Sequence, residues 1–158
     1  MINVSEQPVP FVSHRRIEFS QTDMAGIVHF SNYYKWMEEV EHEFFRSLGL
    51  SIMERQPDGN YIGWPRVNAT CHFQAPVHYD DVIERRLTLE RIGAKSLTFY
   101  IEFWRQETRV AWGRMKSACC TCRPGGTLTS ILIPDSYLSR LEQSAQPPTG
   151  VTQPSAGE

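Results

Sequence analysis

The chain has little that would direct it to a membrane, to a nucleic acid or into an oxidising compartment. Its 158 residues hold 16 Lys and Arg against 18 Asp and Glu, a net charge of −2 with a pI near 6.2. That balance gives no basic footprint for duplex nucleic acid, though it leaves room for a local cationic patch toward a phosphorylated ligand. No hydrophobic run approaches the roughly 20 residues of a membrane span, and the opening MINVSEQPVP has neither a basic start nor an apolar stretch. A soluble, cytoplasmic protein without a membrane partner is the expectation. Cysteine is scarce as well, and the four present do not make a disulfide scaffold in a chain of this size. Cys119 and Cys122 have C-x-x-C spacing, but no second pair accompanies them and the segment around them reads as a strand. Buried reduced thiols are therefore expected rather than a metal site, with Cys120 and Cys122 on one face of that strand and Cys119 on the other. Internal repeats are missing too.

What is present suits one domain with a real core, since 41% of the residues are hydrophobic and 22% charged. The expected division is a leader over 1–12, a folded domain over 13–142 and a tail over 143–158. The tail, QSAQPPTGVTQPSAGE, has almost no apolar content and is expected to be disordered.

The strongest periodic signal lies between residues 31 and 48. Tyr33, Met37, Val40, Phe44 and Leu48 recur at three- and four-residue steps, flanked by Tyr34, Trp36 and Phe45, which predicts an amphipathic helix. The other face carries Lys35, Glu38, Glu39, Glu41, Glu43 and Arg46. Glu39 and Glu43 are a like-charge i,i+4 pair that an isolated helix would not favour, so tertiary packing has to hold it. Ser31 or Asn32 is the natural N-cap, and Gly49 can take the left-handed conformation that ends a helix. About seventeen residues result, roughly 25 Å long, a length that suits a helix wrapped by a curved sheet.

Strand patterns surround this helix. A strand over 14–19 leads into it, and 50–65, with Pro57-Asp58-Gly59-Asn60 and Gly63-Trp64-Pro65, reads as a loop with a short helical start at 51–55. Strands are then expected over 66–74, 82–92, 96–106 and 110–123, joined by turns short enough to require antiparallel pairing. Leu87 and Leu89, and Phe99, Ile101 and Phe103, alternate with polar or amphipathic neighbours, so one sheet face is apolar. This is an α+β arrangement, five antiparallel strands around one helix. A short peripheral helix over 135–141, with Pro134 at its start, closes the folded part.

Chemistry is suggested just before the long helix, in Thr22-Asp23-Met24-Ala25-Gly26-Ile27-Val28-His29-Phe30. Amides at a helix start hold anions and developing oxyanions, and a carboxylate beside them can attack a carbonyl or activate a water. Gly26 has no side chain to obstruct a substrate. On local sequence alone, however, Asp23 reads first as a turn cap.

The stretch D-M-A-G-I-V-H-F-S-N-Y-Y-K-W-M-E-E, after R-I-E-F-S, resembles the signature of the 4-hydroxybenzoyl-CoA thioesterase and related acyl-CoA thioesterase family of the hotdog fold. The match rests on Asp23, Gly26, Ile27, Val28, Asn32 and Tyr33, and strand lengths fit the same fold over about 14–141. Where many members have His or Tyr seven residues after the acid, this chain has Phe30, with His29 one step earlier. The resemblance implies hydrolysis of acyl-CoA thioesters with Asp23 as nucleophile or general base and no cofactor. The amides near Gly26 and Phe30 would form the oxyanion site, which needs only the Phe30 backbone. His29 then either positions water or the acyl group, or is a structural hydrogen bonder. The Gly93-Ala94-Lys95-Ser96 turn is similar to one that contacts CoA in the family, so Lys95 and Ser96 are the first candidates for that end, with Arg123 and Arg66 behind them. A solvated hairpin turn is the competing reading. The resemblance further implies a homo-oligomer, two sheets joined edge to edge and often doubled to a homotetramer. A hotdog dehydratase or hydratase and a non-catalytic thioester-binding module are the alternatives; no histidine here falls in a dehydratase pattern.

Overall fold

The computed structural model describes residues 2–3 and 8–145. The strands are β1 (Ile2–Asn3), β2 (Phe11–Arg16), β3 (Met53–Arg55), β4 (Tyr61–Gly63), β5 (Arg66–Phe73), β6 (Val82–Ile92), β7 (Ser96–Arg105), β8 (Thr108–Ala118), β9 (Cys120–Cys122) and β10 (Leu128–Ser130). The helices are α1 (Ser31–Ser47) and α2 (Asp135–Ser144), with a 3-10 turn at Phe19–Gln21. The long strands form an antiparallel sheet in the order β2-β6-β7-β8-β5, and β1 adds two residues to the edge of β6 that β2 also uses. This is the five-stranded α+β hotdog arrangement expected, with α1 lying in the curve of the sheet.

The core follows from alternation. Leu87, Leu89, Leu97, Phe99, Ile101, Phe103 and Met115 point inward from the middle strands and meet Trp36, Met37, Val40, Phe44 and Phe45 of α1. Close approach needs Gly113 on β8, where a Cβ would sit 2.3 Å from the Thr70 carbonyl and 3.1 Å from Met37 Cε. The residues joining α1 to the sheet are not all apolar. Arg85, only 2% exposed, reaches Glu39 at 3.1 Å and Glu43 at 2.8 Å, and Arg15 adds a 2.6 Å bond to Glu39. Those cations answer the like-charge pair that the isolated helix would disfavour.

Several boundaries differ from the sequence reading, for identifiable reasons. The strand expected over 14–19 is β2, which begins at Phe11, inside the expected leader, and ends at Arg16, because residues 19–21 form the 3-10 turn that delivers the chain to Asp23. The stretch 50–65 contains no helical start; β3 and β4 form a hairpin there and join β9 and β10 in a second antiparallel sheet, ordered β10-β9-β4-β3. The last expected strand is accordingly two, split at Cys119, whose amide turns to the Lys95 carbonyl at 2.8 Å. Cys119 and Cys120 are buried, Cys71 and Cys122 half-buried, and all four are free; burial pushes the Cys119 and Cys71 thiols up to about 12.

Neither Ser31 nor Asn32 caps α1. Phe30 stands at that position without a side-chain bond, and the Asn32 amide instead donates 2.8 Å to the Gln21 carbonyl, tying the helix to the 3-10 turn. At the far end Gly49 does take a positive φ, 66°. Its carbonyl and that of Leu48 accept from Arg140 of α2 at 2.8 and 2.9 Å. α2 is not peripheral, since Tyr137 and Leu141 are fully buried and the Tyr137 ring packs on Phe45 and Trp64. It runs to Ser144, and Ala145 is buried, so the expected tail starts within described structure; residues 146–158 lie outside the described residues.

Candidate active site

The turn before α1 is built around Asp23. Its carboxylate Oδ1 accepts from the Ala25 amide at 2.8 Å, its carbonyl from the Gly26 amide at 2.9 Å, and its own amide donates to Ile27 at 2.8 Å. Gly26 has φ of 78°, and nothing lies within 4 Å of where its Cβ would be. The chain then runs through bridges that pin the turn on both sides, Thr22 to Val28 and Ile27 to His78. Asp23 thus does cap a turn, as its local sequence suggests, with only one carboxylate oxygen engaged among the described residues.

Asp23 borders a cavity of about 390 Å³, which Ile27, Val28, Phe30, Tyr33 and the segment from Phe73 to Val77 also line. The walls are mostly aromatic or aliphatic: Tyr33 and Phe73 stand 5.2 Å apart, Phe30 and Phe73 6.4 Å. A carboxylate at the rim of an apolar cavity beside a helix start has the parts for attack on a buried carbonyl.

The helix amides divide clearly. The Gly26 amide is consumed by Asp23, and the Asn32 and Tyr33 amides by the carbonyls of His29 and Phe30. The Phe30 amide, by contrast, has no partner among the described residues. Of the amides expected near the site, it is the one left to meet an oxyanion, and the Phe30 side chain contributes only a wall. His29 is exposed and does not line the cavity; its Nδ1 lies 2.8 Å from Ser31 Oγ.

The residues expected at the CoA end lie elsewhere. Arg105, at the end of β7, donates 3.1 Å to the carbonyl of cavity-lining Pro76 and 3.1 Å to Asp81. Lys95 and Ser96 are at the start of the same ten-residue strand, so about 30 Å separates them from the cavity. Lys95 is exposed, and the Cys119 and Ile133 amides bind the carbonyls of Lys95 and Ala94, which seats the second sheet against this turn. Arg123 is also exposed, in a polar cavity with Asn60, Thr121, Thr127 and Thr129 on that second sheet.

Arg66 is placed differently. Its guanidinium is bonded to Glu41 and lies 3.5 Å from Glu38, on the helix-facing side of the sheet. Glu41, assigned from its spacing to the wet helix face, has no exposure at all and also accepts from Ser117 Oγ at 3.0 Å. Burial pushes its carboxyl up to about 7 despite Arg66 and Ser117, which act in the opposite direction. The sequence held one hint of this: Glu41 follows Val40 directly, at the margin of the apolar stripe.

These features agree with what the chain is similar to. The model of the thioesterase superfamily matches residues 25–111, opening two residues after Asp23. A putative esterase of Aquifex aeolicus (strain VF5) is 36% identical over 108 residues, 68% of this chain and 83% of that protein. The 4-hydroxybenzoyl-CoA thioesterase of Pseudomonas sp. (strain CBS-3) is 29% identical over 126 residues, 77% of this chain and 75% of that one. The structure of a gentisyl-coenzyme A thioesterase matches with a TM-score of 0.69 at 32% identity, covering 81% of this chain and 99% of that one. The chain belongs to the thioesterase superfamily.

Proposed function

We propose that the chain hydrolyses acyl-CoA thioesters to the free acid and CoA. The observation that carries this is that Asp23 and Phe30, whose amide has no partner among the described residues, line one apolar cavity. The acyl group enters the cavity and the thioester carbonyl faces the Phe30 amide. Asp23 either attacks the carbonyl carbon or takes a proton from a water that does so; negative charge builds on the carbonyl oxygen, the C–S bond breaks and the CoA thiolate leaves. Among the described residues no histidine lines the cavity, which sets this reading apart from a dehydratase that pairs His with an acid. Thiol release from a panel of acyl-CoAs tests it, and wild-type protein that releases thiol from none of them rejects it. The catalytic domain, expected over 13–142, is taken to extend over 11–145, so that β2 and α2 are whole, and to work in the cytoplasm.

The CoA end is assigned to Lys95, Ser96 and Arg123, and Arg66 is left out because Glu41 and Glu38 hold it. Their distance from Asp23 favours a site shared between two copies. Strand β5 pairs only with β8, so its other edge is open along eight residues among those described. Pairing two such edges antiparallel about a two-fold axis sets the start of one β5 beside the end of the other. The start lies level with the Lys95 turn, since Arg66 and Leu97 flank the same residue, Ser117. The end, Phe73, lines the Asp23 cavity. One copy therefore supplies the acid and the other the phosphate-binding turn, in a homo-oligomer of two or four chains. Light scattering gives a mass of at least twice 18.2 kDa on this account, and a fully active monomer would refute it. Mixing Asp23→Asn with Lys95→Ala protomers should restore turnover at low KM, because one of the two hybrid sites is then intact.

Lys95→Ala itself should raise KM for CoA esters more than for a short thioester without the nucleotide. The difference should shrink with added salt, since exposed charges are screened over about 8 Å at physiological ionic strength. Equal effects on both substrates would remove Lys95 from the site.

A further inference from the structure

Part of the cavity wall is tied down by a side chain that is not among the lining residues. Pro76 has no amide, so its carbonyl is the only backbone group by which it can be held. Arg105 takes it, with Nη1 donating 3.1 Å to that oxygen. The same nitrogen donates 3.1 Å to Asp81 Oδ2, which also accepts from the His78 amide at 2.9 Å. One guanidinium thus ties the two ends of the loop over 76–81 together. That loop in turn backs the Asp23 turn. The Val77 carbonyl accepts from the Val28 amide at 2.8 Å, Ile27 bridges to His78, and the Ile27 carbonyl accepts from the Asp23 amide at 2.8 Å. Asp80, in the same loop, has a φ of 70°, a conformation that a residue with a side chain keeps only where its surroundings hold it.

Resting on the thioesterase reading, we propose that Arg105 is a positioning residue: through the loop over 76–81 it fixes where Asp23 stands relative to the Phe30 amide. Asp23 hangs on Ile27, and Phe30 follows Val28 by two residues, so both ends of the reacting pair are referred to this loop. Groups that must meet one carbonyl need such support to within about 0.5 Å. The tie is charged on both sides. Burial works to raise the Asp81 carboxyl, but the His78 amide and Arg105 outweigh it and hold it below its ordinary value, so it is ionised across the neutral range. Hydrogen bonds between ionised partners are the stronger kind. The neighbouring pair of Arg16 and Asp80 offers no equal hold, because its side chains are 59% and 63% exposed and the pair is screened.

The test sets Arg105→Met, which keeps the stem and loses both bonds, beside Arg105→Lys. With an acyl-CoA that wild-type protein hydrolyses, Arg105→Met should lower kcat roughly tenfold or more, the scale of a small misplacement of reacting groups. Its KM should stay within about twofold, because what is lost is made in the transition state. Arg105→Lys should recover most of kcat, since both bonds come from one nitrogen and an ammonium can take its place. Adding Asp81→Asn to Arg105→Met should cost less than about a further twofold, because asparagine still accepts from the His78 amide. Arg16→Met, which frees the exposed pair in the same loop, should leave kcat within about twofold. Near wild-type kcat for Arg105→Met overturns the proposal, and so does a loss that Arg105→Lys does not recover. Equal loss in Arg16→Met, or fully additive costs at Arg105 and Asp81, does the same. A loss no larger than the unfolded fraction seen by circular dichroism would also overturn it, leaving Arg105 a structural residue only. Wild-type protein that releases no thiol from any acyl-CoA overturns the thioesterase reading, and this proposal with it.

Discussion

Asp23→Asn is expected to lower kcat by about two orders of magnitude or more while the protein stays folded. Asparagine keeps the size of the side chain and an oxygen able to accept from the Ala25 amide, so the turn and its bridges to Val28 and His78 have no reason to change. What is lost is the charge on the second carboxylate oxygen, needed both for attack on carbonyl carbon and for taking a proton from water. Steady-state rates with a good acyl-CoA substrate, together with circular dichroism, decide the matter. A folded variant with near wild-type turnover would leave Asp23 as a turn cap and nothing more. Because the superfamily match opens at residue 25, this experiment rather than the likeness is what assigns Asp23 its role.

Arg66→Ala should have the largest effect on stability, about 3 kcal/mol or more on the alkaline side of neutrality, where Glu41 is ionised and the change strands a buried carboxylate. Glu41 would keep only Ser117 as a donor, with Glu38 close enough to raise its carboxyl further. The sign of the pH dependence follows. A carboxyl whose folded value of about 7 lies above its ordinary 4.5 favours the folded state most below the lower value, and that contribution is lost as pH rises through the upper one. Wild-type stability should therefore fall from about pH 5 to about pH 8 through this group, and the cost of Arg66→Ala should be smaller at the acid end, where Glu41 takes a proton. Burial, and after it the Arg66 charge, lowers neighbouring His42, which works against a compensating positive charge there. Urea melts of both proteins at the two ends of the range measure it. A variant with unchanged stability but a raised KM for CoA would instead return Arg66 to the CoA site.

The residues show why some of this was legible in sequence and some was not. Helix α1 was readable because its apolar stripe repeats over seventeen residues and Gly49 marks its end. The strands β6 and β7 were readable from alternation and the tight Gly93 turn. The second sheet was not, because β3, β4, β9 and β10 have three residues each, too short for a period, and are stabilised by one another rather than by their own pattern. Glu41 and Arg66 misled for a different reason: a charge at the margin of an apolar stripe is wet or dry according to whether a distant strand brings its partner, and 25 residues separate the two. The candidate site divided likewise. Asp23, Gly26 and Phe30 lie in one continuous turn, so their order carried their geometry. Phe73, Gln74 and Ala75, which complete the cavity wall, come from the end of β5, and nothing in the local sequence around Asp23 points to them.

The clamp of Arg140 on the carbonyls of Leu48 and Gly49, just past α1, has a consequence for the proposed reaction centre at the other end. A helix carries about half a positive charge at its start and about half a negative charge at its finish, and in a curved sheet of low polarity both are felt. Arg140, with Arg46 in the last turn, neutralises the finish, while the start is left without a capping side chain and with the Phe30 amide free. The field of α1 is thereby made lopsided, uncompensated only where a carbonyl oxygen would gain charge. A second helix, at the far end of the first, thus helps to set the electrostatic potential at the proposed catalytic turn.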